Sequence, residues 1–234
     1  MKLALLSDLH ANLQALDACL AHAQAQGAER IALLGDLVGY GAQPAEVIEK
    51  VRALQTHGAV VLQGNHDEAA LSPPAADASA HQGSATARWT HAQLDAHQRA
   101  FLAGLPLLHQ ESGWLLVHAS AHQPSRWPYV DDERSAGACL AAAQQAHPMV
   151  THVFCGHVHH QRVFYRGVGR GLMRFEPHPG VPVALPRHRG WVLTVGSTGQ
   201  PRDGDPRAMY ALFDVSACSV TFHRVSYDLP AACQ

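Results

Sequence analysis

Residues 1–41 read MKLALLSDLHANLQALDACLAHAQAQGAERIALLGDLVGYG, and their pattern decides the fold class. The apolar run Leu3–Ser7 stops at the charged Asp8; Leu13, Leu16, Cys19, Leu20 and Ala23 then recur at helical spacing, and Gly27 marks a stop. A second apolar run, Ile31–Leu34, follows. Short strand, helix, short strand is the signature of a βαβ unit, whose parallel strands are buried on both faces and so read as unbroken apolar runs. Downstream, Pro44 opens a helical pattern carrying Val47, Ile48, Val51 and Leu54, which leads to a third strand at Val60–Gln63.

Further outward, Ser72–Asp77 is a Pro/Ala/Asp-rich break, and residues 80–105 predict one or two helices holding Trp89, Leu94, Phe101 and Leu102. The segment at about 72–110 is a candidate helical cap. Trp114–Val117, a helix over Ser135–Ala146 and Val150–Cys155 continue the alternation. Then Gln161–Tyr165, Gly190–Val195, Met209–Asp214 and Val220–Val225 read as strands without intervening helices. A parallel half followed by an antiparallel half predicts an α/β fold of two stacked mixed β-sheets flanked by helices. The 234 residues suit one domain.

The net charge of −2 offers no broad attraction to nucleic acid or anionic membrane, so tight nucleic-acid binding is not expected. Five scattered cysteines form no CxxC pair and predict neither a disulfide framework nor a zinc knuckle. The start lacks the pattern of a signal peptide, and no run reaches the ~18 apolar residues of a membrane span, so a cytoplasmic protein is expected. Histidine is abundant, at 18 residues, but His22, His57, His91 and His97 fall on apparent helix surfaces with no specific task expected.

Polar residues cluster where strands end: Asp8 and His10 after the first, Asp36 after the second, Asn65 and His66 after the third, His118 after 114–117, and His157 and His159 after 150–155. Ligands of open α/β sheets bind at the carboxyl ends of strands, so these groups converge on one rim. Singly each has a plainer reading: Asp8 and Asp36 as turn or cap residues, Asn65 in a left-handed turn, His118 in the core. Jointly, carboxylates, an amide oxygen and imidazoles suit Mn, Fe, Zn or Ni, whereas an all-oxygen set suits Mg or Ca.

These residues resemble the ordered signature of the calcineurin-like metallophosphoesterases: Asp8-Leu9-His10, Gly35-Asp36, Gly64-Asn65-His66-Asp67, His118, and Gly156-His157-Val158-His159. The resemblance implies two metal ions, Mn foremost, with Asp8, His10 and His159 holding one, Asn65, His118 and His157 the other, and Asp36 bridging. It implies a metal-bridging hydroxide as nucleophile, with His66 as general acid and Asp67 orienting its imidazole. Asn12 and the run from Gly196 to Asp205 are similar to the bacterial small-phosphoesterase, diadenosine tetraphosphatase-like branch, although Val195 stands where that branch has Pro.

The implied substrate is a small phosphorylated molecule, a phosphodiester or nucleotide, with Asn12, Tyr40, Arg202 and Arg207 as candidate contacts. The 196–206 run reads equally as a turn-rich loop. An Arg-rich insertion at about 162–190 (Arg166, Arg170, Arg174, Arg187, Arg189) could reach phosphates or be a solvated loop. Residues 35–41 lack the arginine of related protein phosphatases, which weakens that alternative; a non-catalytic binding protein on the same fold is the other. Oligomeric state is left open.

Overall fold

A computed structural model describes residues 1–73, 82–169 and 171–233. In chain order the elements are β1 (Lys2–Leu6), α1 (Leu13–Ala25), β2 (Arg30–Leu33), α2 (Pro44–Thr56), β3 (Val60–Val61), α3 (Asn65–Leu71), α4 (Gln82–Gln93) and α5 (Ala96–Ala103). They continue with β4 (Leu108–Glu111), β5 (Trp114–Val117), α6 (Glu133–Ala146), β6 (His152–Cys155), β7 (Gln161–Arg166), β8 (Leu172–Phe175) and β9 (Pro182–Ala184), and end with β10 (Trp191–Val195), β11 (Ala208–Asp214), β12 (Ser219–Val225) and α7 (Leu229–Ala232).

The strands form two six-stranded mixed sheets, ordered β3-β2-β1-β11-β12-β9 and β4-β5-β6-β10-β7-β8. Parallel pairing does not segregate into the first half: β1, β2 and β3 are parallel in one sheet, while β5, β6 and the late strand β10 are parallel in the other. Side-chain alternation explains the stacking. Leu3 and Leu5 of β1 join Trp114, Leu116, Phe154 and Leu193 between the sheets, while Ala4 and Leu6 face Leu16, Cys19, Val47 and Ile48 of α1 and α2. On the outer face of the second sheet, Leu115, Val117, Val153 and Val192 pack on Cys139 and Leu140 of α6. Helix, sheet, sheet, helix is the resulting layer order.

The expected helical stretch after residue 80 is α4 and α5, packed against α2 and α3. Residues 74–77 of the expected break, Ala80 and Arg170 lie outside the described residues. Leu94 and Leu102 enter the core, but Trp89 is 44% exposed and borders a 390 Å3 groove with Tyr40, Gly41, Ala42, Ala85 and Thr86. The 162–190 segment is not a plain solvated loop, for it supplies β8 and β9 to the two sheets. Arg162 and Arg174 donate to the Asp131 carbonyl and Arg187 to Cys218 Sγ, so these guanidiniums are engaged within the protein. All five cysteines are free thiols, and no helix among the described residues is long and apolar enough to cross a membrane.

Candidate metal centre

The loops leaving β1 and β2 are zipped together: Asp8 N–H donates to Gly35 O, His10 N–H to Asp36 O and Ala11 N–H to Leu37 O, each at 3.0 Å. Left-handed backbone accompanies this lateral bonding, with φ of 54° at Asp8, 46° at His10 and 51° at Asp36. His157 and His159 are left-handed too. Strain of this kind persists only where the surroundings over-determine it, and it collects at functional sites. The adjoining glycines answer to space. A Cβ at Gly64 would lie 2.2 Å from Asp36 Oδ1, and one at Gly156 would lie 1.9 Å from Ser7 Oγ and 2.5 Å from Asp8 Oδ2. Only glycine lets these loops approach so closely.

Two buried groups result. Asp8, His10 and His159 offer ligand atoms within 4.8 Å of one another, as do Asp36, His118 and His157. Asn65 joins the second, its Oδ1 3.1 Å from His118 Nε2. Asp36 Oδ2 lies 3.8 Å from His10 Nε2 and 3.5 Å from His118 Nε2, and therefore faces an imidazole of each group. All seven candidate ligands from the strand ends are thus brought together.

Three of the four imidazoles have the outer ring nitrogen oriented by a backbone carbonyl. His10 Nδ1 faces Val38 O at 3.3 Å, His118 Nδ1 faces Leu34 O at 2.8 Å, and His159 Nδ1 faces Gln200 O at 2.6 Å. A carbonyl accepts only from N–H, so these rings carry their proton on Nδ1 and turn the Nε2 lone pair inward when neutral. His157 Nε2 is buried with no hydrogen-bond partner among the described residues.

The electrostatics ask for cations. Burial alone would raise Asp8 and Asp36, but imidazoles (His159 at Asp8, His118 at Asp36) outweigh it and hold both below the usual carboxylate range. Burial drives His10 down to about 3 and His157 down to about 4. At His118 burial is overcome by the Asp36 carboxylate, which raises it to about 9. Two ionised carboxylates at 0–1% exposure are costly unless compensated, and an inward set of imidazole nitrogens and carboxylate oxygens is a donor set for transition-metal ions. The residues fit the expected metals.

His66 is half-buried, its ring 5.1 Å from that of His10 and 4.5 Å from that of Tyr40, and burial lowers its pKa. Asp67 departs from expectation. Its carboxylate accepts from the backbone N–H of Leu37, Val38 and Gly64 at 2.9, 3.2 and 2.8 Å rather than from the His66 ring. It clamps the Gly35–Val38 turn to the start of α3, and burial with the nearby Asp36 charge raises it to about 7. Asn12 is likewise turned to the fold: Oδ1 caps α1 by accepting from Ala15 N–H, while Nδ2 donates to Gly199 O and Tyr227 Oη. Arg207 is occupied by Asp205. Tyr40 edges His10 at 4.9 Å, with the Arg202 guanidinium 6.0 Å from its centroid, so these two stay beside the cluster.

The 196–206 run supports the candidate ligands Asp8 and His159 from behind. Ser197 Oγ and Gly199 N–H both donate to Asp8 O, and Gln200 O receives His159 Nδ1. Sequence reading missed Trp127 and Tyr129, whose rings lie 5.7 Å from His118 and 4.2 Å from His157. The only signal available was two aromatics around Pro128 in the loop after His118.

Residues 1–217 match the calcineurin-like phosphoesterase superfamily domain. The chain is 31% identical to an uncharacterized protein of Methanocaldococcus jannaschii over 98% of its own length and 89% of that protein's. A crystal structure of a metallophosphoesterase from Sphaerobacter thermophilus superposes with a TM-score of 0.82 at 34% identity, covering 99% of this chain and 91% of that one. A shorter match, 38% identity over 39% of this chain and 33% of the relative, is to a symmetrical bis(5'-nucleosyl)-tetraphosphatase of Aromatoleum aromaticum. With the fold, the paired Asp/His groups and this similarity in agreement, the chain belongs to the calcineurin-like phosphoesterase superfamily.

Proposed function

We propose that this protein is a dinuclear-metal phosphoesterase that hydrolyses an ester or anhydride bond of a small phosphorylated substrate, a phosphodiester or nucleotide. The observation that carries the reading is Asp36, a buried member of one three-residue group whose Oδ2 also lies 3.8 Å from His10 Nε2 of the other. Asp8, His10 and His159 would hold one ion, Asn65, His118 and His157 the other, and Asp36 would bridge. When bound, a metal pair supplies an activated water and neutralises charge on the phosphoryl oxygens; Mn suits this donor set, as do Fe, Zn and Ni.

The protein's own contribution is orientation and proton transfer. Val38, Leu34 and Gln200 carbonyls fix three imidazoles in the Nδ1-protonated form. His66 contributes no atom to either group and stands at their edge beside Tyr40, where it would protonate the leaving oxygen. Tyr40 and Arg202 supply a ring and a cation beside the cluster, features that suit a nucleotide. The partial similarity to a tetraphosphatase of Aromatoleum aromaticum supports the same substrate class.

The test is to purify the protein without chelator, measure bound metals, and assay the Mn-loaded form on bis-p-nitrophenyl phosphate, p-nitrophenyl phosphate and diadenosine tetraphosphate, with His66→Ala as control. Metal-dependent release lost in the control is the expected result, and the ranking separates diesterase, monoesterase and dinucleotide hydrolase. Two bound metals with no turnover on any substrate would favour a binding role instead.

A further inference from the structure

Three of the four candidate imidazole ligands have their rings set by a backbone carbonyl. Among the described residues no carbonyl does this for His157; its ring is instead stacked on Tyr129, centroids 4.2 Å apart and planes inclined by 19°. Tyr129 belongs to the loop between β5 and α6, and that loop makes two more contacts to the same half of the centre. The Trp127 ring stands edge-on to His118 at 5.7 Å and 74°. Its indole N–H donates to Glu68 Oε2 at 2.8 Å. Glu68 lies three residues beyond Asn65 on α3, the spacing that places side chains on one helix face.

His157, His118 and Asn65 are the three residues that, beside Asp36, build one metal position. The ring contacts of His10 and His159, by contrast, are with Tyr40, His66 and each other. The loop is itself held firmly. Asp131 O accepts from Arg162 at 3.0 Å and from Arg174 at 3.3 Å, Arg174 is also 3.4 Å from Glu133, and Val130 is buried in the α6 core. Gln123 and Trp127 both adopt left-handed backbone, which non-glycine residues keep only when the surroundings enforce it.

We infer that Trp127 and Tyr129, with Glu68, form an aromatic brace that positions the ligands of the Asn65/His118/His157 metal position and sets its affinity separately from the other. The inference rests on the dinuclear reading above. Contacts that orient metal-bound histidines change metal affinity by roughly 10–100-fold when removed, and the aromatic contacts of this loop reach one position only. Tyr129 is 55% exposed and Glu68 is exposed, so neither substitution opens the core.

The test is calorimetric binding of Mn(II) alone to the full chain, wild type against Tyr129→Ala, Tyr129→Phe, Glu68→Ala and Glu68→Gln, with thermal unfolding to confirm that each variant is folded. In the two alanine variants one ion should bind with wild-type affinity and the other about 10–100-fold more weakly. Tyr129→Phe, which keeps the stacked ring, and Glu68→Gln, which keeps an acceptor for the indole N–H, should match wild type. Loss of affinity shared equally by both ions, or none in either alanine variant, would overturn the brace while leaving the dinuclear centre intact. A wild-type chain that binds fewer than two ions would overturn the dinuclear reading and the brace with it.

Discussion

His10 Nε2 and His159 Nε2 face each other at 3.1 Å inside the protein, each ring with its Nδ1 directed at a backbone carbonyl. With both protons on Nδ1, two lone pairs would point into the same space, an arrangement that a cation relieves. A ligand that binds only the folded state stabilises it by about 2.7 kcal/mol at a hundredfold excess over Kd. At roughly 2–4 °C per kcal/mol for a chain of this size, saturating Mn(II) should raise Tm by about 5–10 °C over EDTA-treated protein. Calorimetric scans with and without metal decide this, and an unchanged Tm would count against a built metal site.

Variants at Asp36 and His66 would separate metal binding from proton transfer. His66→Ala should leave metal content near normal and slow turnover by ~10²–10⁴-fold, the scale of a lost general acid. Asp36→Asn should impair both ions together, because Asp36 Oδ2 is within 4 Å of imidazoles from both groups. Metal analysis beside kinetics checks both. Loss of metal from the first variant would move His66 among the ligands, and loss of a single ion from the second would remove Asp36 from the bridge.

What could be read in the sequence follows from what apolar patterning and strand-end chemistry record. Buried strands such as Trp114–Val117 and the helix opened by Pro44 are visible because burial demands continuous apolar runs or helical spacing. Strands β8 and β9 are not, because they are edge strands whose residues are mostly exposed, so no apolar run marks them. The seven candidate ligands were legible as a set because each lies shortly beyond the carboxyl end of a strand, where topology carries it towards the rim. Asp67 was misread for the converse reason: adjacency to His66 in the chain says nothing of side-chain direction, and three backbone N–H groups claim its carboxylate. The stack of Tyr129 on His157 depends on the path of a loop, which residue spacing does not encode.

The two glycine environments give a paired prediction. Gly156→Ala would place a methyl 1.9 Å from Ser7 Oγ and 2.5 Å from Asp8 Oδ2, displacing a candidate ligand at an overpacking cost of about 1–3 kcal/mol. Tm should fall by roughly 2–12 °C and metal affinity should drop with it. Gly137, inside α6, has nothing within 4 Å of an added Cβ. Gly137→Ala should therefore stabilise the helix by up to about 1 kcal/mol without touching activity. Thermal unfolding of the two variants tests the contrast, and equal losses would show that the close approach at Gly156 is not what glycine serves there.

His22 was expected to lie idle on a helix surface, yet its Nδ1 is 2.8 Å from Tyr210 Oη and its ring 5.1 Å from that of His223. His223 in turn stacks on Tyr210 at 4.7 Å, and its Nε2 is buried without a partner among the described residues. Burial, with His22 beside it, depresses His223 from the ordinary 6.5 to about 4. Below pH 6.5 the unfolded chain takes up a proton that the folded chain refuses until about pH 4, so this residue withdraws stability as pH falls through that window. Above pH 6.5 both states are neutral there and the effect vanishes. His223→Phe removes both the titration and the unpaired nitrogen, and should flatten the decline of Tm between pH 6.5 and 4 relative to wild type. Parallel Tm curves for the two proteins across that window would show that His223 gains its proton as readily folded as unfolded.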